Sequence, residues 1–178
     1  YHPSTEILLF SCRMPDNRML RWVPGQEFPQ KLIDFIADGG TIEAHNVGFE
    51  YAMWFVHLHL NLGIIMPRRW TDTLAVCAYR SLPLGLDKAG DVLDLPVKKD
   101  KIGKQLINKL SKPRKPLKKE IKECTLADGT IDEERLAHYR RNYDFELFEQ
   151  VHEYCDDDVR SEHCLSETIG DLPLAEYE

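Results

Sequence analysis

The stretch Phe145 to Leu165, FELFEQVHEYCDDDVRSEHCL, constrains the chain more than any other. Its apolar positions recur with helical spacing: at 100° per residue Leu147, Phe148, Val151, Tyr154, Cys155, Val159 and Leu165 fall on one arc, the face that should meet a core. Asp158 lies near the middle of that arc, one turn after Tyr154, whereas Asp156 and Asp157 point away from it. A carboxylate turned toward a protein interior is costly unless it is paired or binds a metal. Asp158 therefore reads either as a charge at the edge of the stripe or as a site residue, and the rest of the chain has to decide between them.

A chain of 178 residues is long enough for one domain with a sizeable core. No apolar run approaches the roughly 20 residues a membrane span needs, and nothing near Tyr1 reads as a signal peptide. The five cysteines, Cys12, Cys77, Cys124, Cys155 and Cys164, form no CxxC pair, which disfavours a zinc site or a disulfide framework. They predict reduced thiols in a cytoplasmic protein. The net charge of −7 hides an asymmetry. Between Lys98 and Lys122 there are 11 Lys or Arg against Asp100 and Glu120, a local charge of +9, which leaves −16 on the remainder. An acidic body with one basic arm suits cation binding beside a phosphate backbone, with Lys112, Arg114 and Lys115 as candidate contacts. A solvated loop with no partner is the plainer alternative.

Taken in order, Glu6 to Cys12 reads as a buried strand and Met19 to Val23 as its hairpin partner. A short amphipathic helix runs from Phe28 to Ile36 and is stopped by Asp38-Gly39-Gly40. Thr41 to Ala44 is a brief strand, followed by a strongly apolar helix from Tyr51 to Leu60. Pro67 to Trp70 reads as a loop, and Thr71-Asp72-Thr73 caps a helix to about Arg80. Leu86 to Leu93 is a short helix; the basic segment, with Pro113 and Pro116, is a partly helical loop; helices follow from Asp132. Early strands that alternate with helices predict an α/β domain.

A second unusual place is the strand-to-helix junction His45-Asn46-Val47-Gly48-Phe49-Glu50. Glu50 either complements the helix dipole or faces the mouth of the sheet, where strand ends of α/β folds present their sites. Phe49, Met53, Trp54 and Val56 would fix that helix, and Asn46 would position a ligand or tie down the turn. Glu50 and Asp158 on separate elements, with Tyr154 one turn from one of them, suggest metal-assisted hydrolysis. Two-ion phosphodiester cleavage needs several converging carboxylates, and hard oxygen ligands suit Mg²⁺ or Mn²⁺.

These residues carry a family resemblance. His45-Asn46-x-x-Phe49-Glu50 and Tyr154-Cys155-x-x-Asp158-Val159 resemble the second and third motifs of the tyrosine-type DEDD 3′–5′ exonucleases, above all the proofreading domains of A-family DNA polymerases of phages and prophages. Trp70-x-Asp72-Thr73, Leu82-Pro83-Leu84-x-Leu86-Asp87, Lys99-Asp100-Lys101-x-Gly103-Lys104-x-Leu106-Ile107 and Leu172-Pro173 with Glu176 are similar to that group in the same order. The resemblance implies a ribonuclease H-like fold, a mixed central sheet flanked by helices, two catalytic Mg²⁺ (or Mn²⁺) ions and a single-stranded DNA 3′ end as substrate. It also implies that residues 1–178 form a single exonuclease-like domain, with 98–122 a basic insertion and 171–178 the start of a linker to a polymerase domain.

Carried over, Asp158 and Glu50 would be metal ligands, Tyr154 would orient the attacking water, and His45, Asn46 and Phe49 would shape the substrate pocket. Many relatives have Asp where this chain has Glu50. His152 and Asp157 meet the spacing of the histidine-type enzymes but point about 140° apart on a helix, whereas Tyr154 and Asp158 share a face. The family's first motif, Asp-x-Glu on the opening strand, belongs upstream of Glu6 and is not in this sequence; Asp144-Phe-Glu146 has the letters in the wrong place. The expectation is therefore a fold without its first strand and an incomplete metal site. The alternative is a non-catalytic DNA-binding or structural module, and nothing in the sequence separates DNA from RNA as substrate.

Overall fold

The computed structural model describes residues 5–96, 103–112, 114–140 and 145–172. The chain divides into two compact units, residues 1–99 with 155–178, and residues 100–154. Unit 1 holds the strands β1 to β4 found among the described residues. β1 (Phe10–Arg13) pairs antiparallel with β2 (Met19–Trp22), and the turn between them places Asn17 at φ 69°, a left-handed setting that Asn tolerates better than most residues. The strand predicted from Glu6 is shorter than expected, since residues 5–9 lie outside it, although Ile7 packs on the core.

After α1 (Gln30–Ala37), β3 (Thr41–Ala44) pairs parallel with β4 (Arg69–Asp72). α2 (Val47–Met53) crosses between them and continues as a π-helical stretch, Trp54–Leu60, as parallel strands require a crossover. β4 falls where the sequence predicts a loop: Arg69-Trp-Thr-Asp is too short to show a period and becomes a strand by pairing with β3. α3 (Thr73–Tyr79) and α4 (Leu86–Val92) follow. The expected central mixed sheet is present as two separate two-stranded sheets, β1–β2 and β3–β4, because no described strand lies between them.

Two apolar clusters hold unit 1. Trp22, Phe28, Leu32, Ile36, Trp54 and Leu58 form the first, with Phe28 edge-on to Trp54 at 5.9 Å and to Trp22 at 5.3 Å, a favoured aromatic geometry. Of the residues expected to fix the α2 helix, Trp54 does so, while Phe49 and Val56 are exposed. The second cluster joins Val76, Cys77, Ala89 and Leu95 to Leu165 and Ile169 of α8 (Phe145–Ile169). No disulfide joins the five cysteines. No helix of the described residues is long and apolar enough to cross a membrane.

Unit 2 is helical: α5 (Gly103–Ser111), α6 (Lys118–Glu123), α7 (Glu133–Arg140) and the beginning of α8. The basic segment thus forms two helices. Its Lys98 to Lys101, the Asp144 of Asp144-Phe-Glu146, and Pro173 to Glu178 lie outside the described residues. Leu110, Cys124, Leu136, Leu147 and Val151 are buried. Gly103 sits under the Tyr154 ring, which a Cβ at that position would strike.

Candidate functional site

The junction at the end of β3 is built from backbone and carboxylate. Asn46 takes φ 78°, ψ 58°, and its N–H donates to Asp72 Oδ1 at 3.0 Å. The same oxygen accepts from Leu74 N–H at 3.0 Å and so caps α3. Asp72 therefore ties the ends of both parallel strands together. His45 Nε2 lies 2.8 Å from the Leu84 carbonyl and Nδ1 lies 3.0 Å from Thr73 Oγ1. A carbonyl only accepts, so Nε2 carries the proton in this arrangement and Nδ1 accepts from the Thr73 hydroxyl. Both ring nitrogens are used within the fold, which makes His45 a tie between loops. Phe49 is exposed, as is Asn46.

Beside this junction lies a cleft of about 530 Å³, lined by residues of β1, β3 and α8 together with Glu50, Trp54 and Trp70. Its charge is acidic. Glu162, one turn beyond Asp158 on α8, has its carboxyl pushed up to about 8, first by burial and then by the charges of Glu43 and Glu50, while Thr73 at 3.4 Å acts in the opposite sense. Burial also raises Glu50, aided by Asp72. The Thr73 hydroxyl, placed to donate to Glu162 Oε1 at 3.4 Å, only partly offsets the burial and the like charges. Glu43 accepts from the Ser166 hydroxyl at 2.6 Å.

The helix reading needs correction at Asp156. It was expected to point away from the core, yet it is the most buried acid on α8, 2% exposed, whereas Asp158 is half-buried. The reason is a partner on another element: Arg21 of β2 donates to Asp156 Oδ2 from Nε at 3.0 Å and from Nη2 at 2.9 Å. A charge-assisted bidentate contact offsets the desolvation that an apolar-arc argument assumes is prohibitive. Asp156 also contributes to the Cys12 thiol, which burial pushes up to about 12. Asp157 pairs with Arg160 at the surface, at 2.6 Å, and His152 is buried.

Tyr154 is buried and belongs to unit 2; Asp158, one turn on, belongs to unit 1. In unit 2, the candidate phosphate contacts Lys112 and Lys115 are exposed, but Arg114 is not available in the same way. Its guanidinium donates to Glu120 at 2.9 and 2.7 Å, and Glu120 also accepts from Leu117 N–H at 2.7 Å to start α6. The Arg114 contact holds Glu120 down to about 2.

Sequence reasoning missed Glu43 and Glu162: Glu162 stands near the middle of the apolar arc, as Asp158 does, and the same periodicity could have found it, whereas Glu43 alternates with Ile42 on an unremarkable strand. The expected divalent ions can be tested against these side chains. The donors are the hard oxygens Mg²⁺ prefers, but among the described residues no group of three or more His, Cys, Asp or Glu is placed to hold a metal ion. Glu50 and Asp158 do not by themselves make a two-ion site.

No family model matches the chain, and no solved structure matches it. Over 99% of its length the chain is 29% identical to a protein named DNA polymerase from Bacillus phage SP02, and it spans 25% of that polymerase. The chain is thus similar, weakly but from end to end, to part of a phage DNA polymerase.

Proposed function

We propose that the chain is the 3′–5′ exonuclease region of a DNA polymerase, removing nucleotides from the 3′ end of single-stranded DNA in the cytoplasm of a bacterial or phage-infected cell. The whole-length similarity to a phage DNA polymerase carries this reading. The position of Glu50 on an acidic cleft at the end of a parallel strand pair supports it. In this reading Glu50 and Asp158 are part of a carboxylate set for Mg²⁺ or Mn²⁺, Tyr154 orients the attacking water, and Asn46 and Phe49, exposed beside the cleft, meet the terminal nucleotide. In this reading the set also needs a further carboxylate pair, such as the family's Asp-x-Glu, which this sequence does not contain. A version extended upstream should digest 3′-labelled single-stranded DNA in Mg²⁺, and Asp158→Ala should abolish the digestion. No digestion, or digestion indifferent to Asp158→Ala, overturns the reading.

One observation favours a second reading, a non-catalytic DNA-guiding module. The exposed Lys109, Lys118, Lys119 and Lys122 of α5 and α6, with Lys112 and Lys115 between the two helices, make a density that suits a phosphate backbone. Reversing Lys112 and Lys115 to Glu should abolish salt-sensitive, metal-independent DNA binding in this reading but only weaken turnover in the enzyme. Arg114 is left intact in that test because its loss would strand Glu120.

A further inference from the structure

Between Lys101 and Lys122 the basic segment of unit 2 carries a single acid, Glu120, and that acid is buried. Arg114 meets it as a fork, with Nη1 at 2.9 Å from Oε2 and Nη2 at 2.7 Å from Oε1, the strong bidentate form of such a pair. The same Nη1 donates to the Lys115 carbonyl at 3.4 Å. Oε2 also accepts from Leu117 N–H at 2.7 Å, the reach back by which a first-turn Glu starts a helix. One ion pair thus holds the backbone at Lys115 and at Leu117, between the end of α5 and the start of α6. Lys112 N–H meanwhile extends the last turn of α5 to the Asn108 carbonyl at 3.1 Å. Four exposed lysines stand on this backbone: Lys112 on the α5 turn, Lys115 beside the ion pair, and Lys118 and Lys119 opening α6.

We infer that Arg114 and Glu120 form a strut: two positioning residues that fix the backbone under Lys112, Lys115, Lys118 and Lys119 for the phosphates of a single-stranded nucleic acid, without touching the strand themselves. The inference rests on the reading of this segment as a phosphate contact. Lysine is a point charge on a flexible stem, so each one that grips a phosphate loses freedom on binding. Backbone that is already held in place lowers the ordering cost that association must meet. The strut needs a guanidinium, because its planar fork spans both oxygens of Glu120 while a third partner, the Lys115 carbonyl, is still reached. It also needs the acid, which is the one group that joins Arg114 to the start of α6. The Arg114 contact holds Glu120 down to about 2, so the strut stays charged throughout the neutral range.

The test follows a fluorescent oligo(dT) binding to the full chain in EDTA, so that no metal-dependent cleavage enters. Glu120→Gln keeps the shape and removes a negative charge. By charge alone this variant would bind the anionic strand more tightly; through the strut it should bind at least about threefold more weakly. Arg114→Lys keeps the charge and loses the fork, and should weaken binding to a similar extent. In both variants the slope of log affinity against log salt should stay that of the unaltered chain, because the lysines that meet phosphate, each worth about 0.7 in slope, are still present. The Leu117 amide should exchange faster in each variant while the amides of α7 do not change, which separates loss of the strut from loss of the fold. Absence of salt-sensitive binding by the unaltered chain removes the phosphate reading of this segment and the strut with it. Where the unaltered chain binds and Glu120→Gln binds as tightly or more tightly, that reading stands and the strut falls. Full-strength binding by Arg114→Lys also overturns it, because Arg114 would then act as charge alone.

Discussion

Two glutamates, the buried Glu120 and the half-buried Glu162, sit in opposite electrostatic settings. Glu120 in unit 2 accepts two bonds from Arg114 and one from a backbone N–H, and is held down to about 2. Glu162 in unit 1 faces Glu43 and Glu50 across an open cleft and is pushed up to about 8. Burial of a carboxyl therefore does not by itself predict its behaviour; the partner does. Glu120 has the partner its fold needs. Glu162 has like charges and a hydroxyl, an arrangement that stabilises a small helical unit poorly but suits a site awaiting something else.

The largest effect should come from removing the partner of a paired acid. Arg21→Met strands Asp156 in a buried position and should cost about 3 kcal/mol in urea denaturation, while Arg21→Met with Asp156→Leu should recover much of that loss. An equal loss in the double variant would show that the pair contributes through packing alone. Next comes the pH dependence of Glu162. Its folded value lies above its unfolded one, so between about 4.5 and about 8 the native state binds the extra proton. Stability must fall as pH rises through that window, by at most about 1.4 kcal/mol per pH unit. Glu162→Gln should flatten this slope and raise stability most at pH 8 and above; an unchanged profile would remove Glu162 from the account. The smallest effect belongs to Glu120→Gln, which leaves shape intact and weakens the Arg114 contact. It should speed amide exchange in α6 without touching β1 or β3. Its stabilising contribution is present above about 4.5 and is lost as pH falls toward about 2.

How much of this was legible depended on whether the signal was local. α1, β3 and α4 follow from short-range pattern and from their Gly and Pro boundaries, and the structure places them within a few residues of expectation. β4 needed β3 to exist at all. Asp156 needed Arg21, 135 positions away, and no periodicity on the helix could reveal such a partner. The same blindness hid Glu43; Glu162 stood on the apolar arc with Asp158, but its acidic neighbours became a cluster only when β3 and α8 met. Glu50 was readable because it stands at a strand-to-helix junction, where position itself carries chemical meaning.

The central claim is that the cleft gathers carboxylates in excess, with Glu43, Glu50, Glu162 and Asp171 against Arg13. Its most direct test is the titration of the Glu162 side-chain carboxyl carbon by NMR in the chain alone. A midpoint near 8 is the predicted result. A midpoint near 4.5 would contradict it, because Glu162 would then be neither buried nor crowded by Glu43 and Glu50.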